Sequence, residues 1–209
     1  MSEAEIEVCA GVSVSRETFA ALKAFEALVE KWSPKINLIS RNDLRDIWSR
    51  HIIDSAQIFG FCRPSEGLWA DFGSGGGFPA IVLAILSEGA QTNTRFALIE
   101  SDARKAVFLR TAAREIGLRN VEVLNKRIEE LPPMNADVIS ARALANLTTL
   151  LEFSERHLAD TGRAVFQKGE TAQREVEVAR NKWEFSVQSC PSQTNPTASI
   201  LLLKDIQRA

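Results

Sequence analysis

Four glycines fall at positions 73, 75, 76 and 77, the first of them two residues after an acid, Asp71, and all ahead of Phe78 and Pro79. Glycine reaches positive φ without a steric penalty, so such a run allows a sharp reversal and lets a ligand lie against bare backbone. Pro79 suits the first turn of a helix, and the free N–H groups at a helix start favour an anionic or polar ligand. Asp71 sits near the end of a short apolar run, Leu68 to Phe72, beside this turn. A second acid, Glu100, closes another short run that begins at Arg95. A carboxylate at that strand end is placed to hold ribose hydroxyls. Glycines this dense carry a large entropic cost for a turn that binds nothing.

Two cofactors fit the spacing. The dinucleotide pattern G-x-G-x-x-G/A fails from Gly73, because position 78 is Phe, but is met by Gly75, Gly77 and Ala80. The acid-x-G-x-G-x-G loop of S-adenosylmethionine-dependent methyltransferases is met in full by Asp71, Gly73, Gly75 and Gly77. An acid beside the turn opposes a pyrophosphate but accepts hydrogen bonds from an ammonium group.

Other chemistry is sparse. No G-x-S-x-G or Cys–His signature is present. Methyl transfer from a sulfonium does not need one, since an in-line displacement depends above all on positioning. A guanine N7 lone pair carries no proton, so attack from it needs no general base. The chain has 2 His, and its 3 Cys are scattered without a C-x-x-C, which argues against a metal site or a disulfide framework and for a reducing cytoplasm. The start of the chain is acidic rather than signal-like, and no apolar run reaches membrane length. With a formal net charge of −2, any nucleic-acid contact must be local. The basic residues for it are Arg104, Lys105 and, nearer the N-terminus, Arg41, Arg45 and Arg50.

The elements that must position these groups alternate. Residues 1–14 read as a loose terminus. A helix starts at Ser15 as N-cap, carries Phe19, Leu22, Phe25, Val29 and Trp32 at helical spacing, and ends at Ser33-Pro34. A second helical region spans Asn42 to Phe59. Residues 1–65 thus form a helical cap ahead of a core over 66–209. In that core the helix after Pro79 is apolar nearly all round and must be buried. Further strands are expected over Arg95–Glu100, Val121–Asn125, Ala136–Ser140 and Arg163–Lys168, with helices from Asp102, from Leu147 to His157 and from Glu170 to Lys182. Trp183–Cys190 and Ser199–Lys204 form an antiparallel hairpin on an otherwise parallel sheet. This is an α/β, doubly wound, Rossmann-like arrangement, with its ligand at the carboxyl ends of the strands.

The chain resembles the bacterial 16S rRNA (guanine-N7)-methyltransferase family, RsmG/GidB. The resemblance rests on Lys31-Trp-Ser-Pro-Lys-Ile-Asn-Leu-Ile-Ser40, Arg50-His-Ile-Ile-Asp-Ser55, Asp71 through Pro79, Leu98-Ile-Glu-Ser101, Arg104-Lys105 with Phe108-Leu-Arg110, Arg127-Ile-Glu-Glu130, Ile139-Ser-Ala-Arg-Ala143 and Gln167-Lys-Gly169. It covers roughly residues 17–205. The glycine loop is shared by a superfamily, whereas the W-x-x-x-x-N-L and R-H-I-x-D-S segments are far more specific.

The resemblance implies a class I S-adenosylmethionine-dependent methyltransferase fold with a mostly parallel seven-stranded sheet, a C-terminal antiparallel hairpin and an N-terminal helical extension. It implies S-adenosyl-L-methionine as donor, a guanine N7 of 16S rRNA in the small ribosomal subunit as acceptor, and neither metal nor membrane as partner. Carried over by position, Gly73, Phe78, Ile128, Glu129 and Arg142 are cofactor-pocket residues beside Asp71, Gly75, Gly77 and Glu100. Arg142 is the expected catalytic residue; its structural alternative is an ion pair with Asp71 or Asp137. The family's R-A-x-A-P appears here as Arg142-Ala-Leu-Ala-Asn146, which loosens the turn. His51 and Asp54 suit a structural hydrogen bond between cap and core or, failing that, an RNA contact. Trp32 is expected in the core, Asn37 in a turn, and Lys168 on RNA phosphate or in solvent. Rival functions are a nicotinamide-dependent oxidoreductase, on Gly75, Gly77 and Ala80 alone, and a non-catalytic binding module.

Overall fold

The computed structural model describes residues 3–209. Seven strands form one sheet in the order β3-β2-β1-β4-β5-β7-β6. They are β1 (Glu66–Phe72), β2 (Asn93–Ile99), β3 (Val121–Leu124), β4 (Ala136–Arg142), β5 (Leu158–Lys168), β6 (Trp183–Pro191) and β7 (Ser199–Arg208). The first five pair in parallel; β7 runs antiparallel to both β5 and β6. The chain order reverses between β1 and β4, and in a doubly wound sheet that crevice is where ligands bind. Asp71 and the glycine turn lie at the end of β1, Arg142 at the end of β4.

The strands are continuous apolar runs because both faces are covered. One face carries the cap helices together with α4 (Ala80–Gly89) and α5 (Ala103–Ile116); the other carries α6 (Leu147–His157) and α7 (Ala172–Ala179). Every residue of α4 from Ala80 to Ser87 is buried, as its all-round apolarity requires. Helix α2 (Arg16–Ile36) turns Leu22, Phe25 and Val29 inward, and Phe25 meets Phe78 at 5.1 Å between ring centroids. Trp32 packs on Phe108 at 5.7 Å. The cap therefore shares one apolar cluster with the sheet.

Several expectations need correction. The terminus is not loose throughout: α1 (Glu3–Ala10) buries Ile6 and Ala10 completely. It approaches α3 (Asp54–Phe61) so closely that a Cβ at Gly60 would lie 3.1 Å from the Cys9 carbonyl. That burial is tertiary, and eight residues carry little local helix signal. Helix α2 does not stop at Pro34. It runs a further turn, because Glu30, whose carbonyl loses its donor to the proline, is exposed and can turn to water. It ends on Asn37 in the left-handed conformation, with the Asn37 N–H on the Ser33 carbonyl. The second helical region is not one helix. A 3-10 turn (Asp43–Arg45) and a π-helical turn (Trp48–Ile53) precede α3, and such π segments recur at functional sites. Strands β5 and β7 are longer than read, and α7 is shorter.

Candidate active site

The glycine turn is locked from below. Gly73 and Ser74 both donate to the Ile99 carbonyl, at 2.9 and 3.0 Å. Buried Glu100 accepts from the Gly75 N–H at 2.8 Å with one carboxylate oxygen and from the Asp102 N–H at 2.7 Å with the other. Each oxygen keeps a further lone pair. Gly73, Gly75 and Gly77 sit at φ of +68°, +50° and +83°, which a side chain resists. Gly77 also serves packing: a Cβ there would come within 2.8 Å of Ile81 and 2.9 Å of Phe25. Asp71 is buried. It accepts from Ser140 Oγ at 2.6 Å, which in turn accepts from the Trp69 indole at 2.8 Å. The other Asp71 oxygen has no hydrogen-bond partner, and burial pushes the carboxyl pKa up to about 6.

A cleft of about 220 Å³ opens beside this turn. Gly73, Ile128 and Glu129 line it, with Ser101, Leu144 and Phe153. Ile128 and Glu129 arrive on a 3-10 turn (Ile128–Glu130), with Ile128 buried. The donor set suits an adenosyl group bearing an amino acid. It offers apolar walls, a backbone edge, a ribose-ready acid in Glu100 and, at Asp71, a buried acceptor still lacking its donor. Asp71, Gly75, Gly77 and Glu100 shape the turn from behind rather than lining this cleft. Phe78 and Arg142 lie on its far side.

There a second cleft, of about 660 Å³, is lined by Arg50, His51, Asp54, Arg142, Lys168 and Thr194 among others. Arg142 Nη2 lies 2.6 Å from His51 Nδ1 and 3.2 Å from the Arg50 carbonyl. A guanidinium only donates, so His51 Nδ1 must accept and the imidazole proton sits on Nε2. Burial and then the Arg142 charge depress the His51 pKa to about 4, so the ring is neutral. Its face stacks on Phe78 at 4.8 Å. His51 Nε2 and Arg142 Nη1 are buried and make no hydrogen bond. The ion pair of Arg142 is with Asp54, at 3.5 Å, not with Asp71 or Asp137. Ser140 holds Asp71, and Asp137 accepts from the Leu68 N–H. Asp54 also takes hydrogen bonds from Gln57, Gln167 and Thr194. One carboxylate thereby ties the cap to β5 and to the β6–β7 loop.

Residues 143–146 separate the clefts. Ala143 and Ala145 line the larger one, Leu144 and Ala145 the smaller. Leu144 lies over the turn, where a Cβ at Gly73 would be 2.7 Å from its Cδ1. Asn146 does not leave this turn loose: its side chain caps α6 by accepting from the Thr149 N–H at 3.0 Å. Lys168 does not stand in open solvent but in the wall of the larger cleft. It is buried, donating to the Ala145 carbonyl at 2.7 Å and to Glu175 at 2.8 Å. Sequence reading missed Glu175, Asp43, Leu144 and Thr194. The Gln167-Lys-Gly169 and Arg142-Ala-Leu-Ala-Asn146 segments pointed toward this group without naming these residues.

A sequence profile for GidB, described as rRNA small subunit methyltransferase G, matches residues 18–200. The chain belongs to the GidB family. Among its relatives is the ribosomal RNA small subunit methyltransferase G of Ruegeria sp. (strain TM1040), 50% identical over 197 residues, covering 94% of this chain and 95% of that protein. The protein of the same name from Rhodospirillum centenum is 45% identical over 198 residues, covering 94% and 88%. The fold is also that of a SAM-dependent methyltransferase from Aquifex aeolicus, with a TM-score of 0.59 at 15% identity over 78% of this chain and 94% of the other. Among the described residues no helix is long and apolar enough to cross a membrane, and no group of three or more His, Cys, Asp or Glu could hold a metal ion.

Proposed function

We propose that this chain transfers a methyl group from S-adenosyl-L-methionine to N7 of a guanine in small-subunit (16S) ribosomal RNA, in the cytoplasm. The observation that carries the reading is the buried His51 Nε2–H, which has no hydrogen-bond partner, beside the Arg142 guanidinium in the cleft next to the glycine turn. A donor without an acceptor, set beside a guanidinium, calls for an acceptor edge. Guanine presents O6 and N7 on one edge. A donor satisfied by O6 leaves the N7 lone pair free.

The cofactor supplies a methyl group already activated on a sulfonium. The chain supplies place. Gly73, Ile128 and Glu129 border the donor cleft, and Glu100 keeps lone pairs for ribose hydroxyls. Asp71 offers an acceptor near the turn, while Gly75, Gly77 and Phe78 shape it. Arg142 holds the target base as the catalytic residue, through a fixed cation and a planar fork. No group takes a proton from the base: His51 Nδ1 is occupied by Arg142, and N7 has none to give. The nicotinamide reading is disfavoured by Asp71, whose buried carboxylate opposes a pyrophosphate, and by Gly77, which answers to Ile81 and Phe25.

The test is transfer of labelled methyl to bacterial small subunits and to naked 16S rRNA, followed by mapping of the modified base. A single guanine N7 is expected. Incorporation elsewhere, or none, overturns the reading.

A further inference from the structure

We propose that Lys168 and Glu175 are positioning residues that anchor the 143–146 loop between the two clefts. The proposal rests on the methyltransferase reading above. Lys168 ends β5, and its side chain is only 8% exposed. Burying an ammonium is costly unless its partners are close and well placed. The two found are the Ala145 carbonyl at 2.7 Å and Glu175 Oε2 at 2.8 Å. The same Glu175 oxygen accepts from the Leu147 N–H at 2.8 Å, and Thr171 Oγ1 holds the other at 2.9 Å. The pair therefore grips the chain at two points, the carbonyl of 145 and the amide of 147.

Only Ala143 and Leu144 lie between that grip and Arg142. Ala143 is held at φ +52°, a left-handed conformation that a residue with a Cβ keeps only when its flanks are fixed. Leu144 is thereby laid over Gly73 as a wall of the smaller cleft, and Arg142 is fixed as a wall of the larger. The ion pair borders the larger cleft, but its hydrogen bonds all go to the chain itself. Its work is to keep the two clefts in register, and loss of register costs rate before it costs affinity.

The experiment uses the full chain with Lys168→Met, Glu175→Gln and the double variant, which leaves no unpaired buried charge if a single variant fails to fold. Hydrogen exchange of the unliganded protein should accelerate about tenfold or more at amides 143–147, with α4 and β1 unchanged. The turnover rate should fall about tenfold or more, with the S-adenosylhomocysteine dissociation constant within about threefold of wild type. The double variant should be no slower than the worse single. Unchanged exchange at 143–147, exchange accelerated across the whole fold, or normal turnover despite a loosened loop would each overturn the proposal. A wild-type protein that methylates no RNA would sink the functional reading instead, and the exchange result would still judge the anchor.

Discussion

The two clefts on either side of residues 143–146 are built from different materials. The smaller is made of backbone and apolar surface: a turn at positive φ, a 3-10 turn and the side chains of Ile128, Leu144 and Phe153. The acid that shapes it, Glu100, is already engaged by two main-chain amides. The larger is made of charged and polar side chains drawn from the cap, β4, β5 and the β6–β7 loop, and it retains a buried donor, His51 Nε2, with no hydrogen-bond partner. A backbone cradle suits a ligand that is the same at every turnover. A side-chain cleft suits discrimination, because a wrong base would leave that buried donor unpaired.

The largest effect expected from this contrast is at Gly75. The nearest atom to a Cβ there is the Gly73 carbonyl at 3.6 Å, so Gly75→Val should fold while the strained turn displaces Gly73 in the cleft wall and raises the S-adenosylhomocysteine dissociation constant about a hundredfold. RNA affinity, measured separately, should hardly move. Equal loss of both would erase the distinction between the clefts.

Next comes Arg142→Lys, which keeps the charge and loses the fork. Turnover should fall about ten- to a hundredfold, with cofactor affinity, read by calorimetry, within about twofold. If cofactor affinity falls in step with rate, Arg142 belongs to the smaller cleft as well.

The smallest effect concerns pH. His51 has a pKa near 6.5 in the unfolded chain and about 4 in the fold. Above pH 6.5 both states are neutral and it contributes no pH dependence. Between 6.5 and 4 the unfolded chain binds a proton that the folded one refuses, so stability falls as pH falls, by about 2 kcal/mol by pH 5. Urea unfolding at neutral pH and near pH 5 should show a shallower decline in His51→Gln than in wild type. Parallel declines would mean that the buried ring titrates normally.

The same contrast explains what could be read in advance. The glycine turn, Asp71 and Glu100 are local signals, since their spacing is the chemistry. The parallel sheet and its hairpin followed from the alternation of apolar runs with helical segments. The larger cleft has no such pattern, because Asp43, His51, Arg142, Lys168 and Thr194 meet only through topology. Lys168 was expected at RNA or in solvent, because nothing near it in sequence announces Glu175 as its partner or the loop above it as its load. Likewise α1 owes its order to burial of Ile6 and Ala10 against α3, which eight residues cannot advertise.

Strand β7 follows β6 in the chain yet lies between β5 and β6. During synthesis β6 emerges with no edge to join, and β5 waits for Ser199 and Ile200 to pair with Lys168 and Gln167. The donor cleft draws on β1, β2 and the segments after β3 and β4, all made earlier. A nascent chain therefore has every residue that lines the smaller cleft before Ser199 and Ile200, which line the larger one, are made.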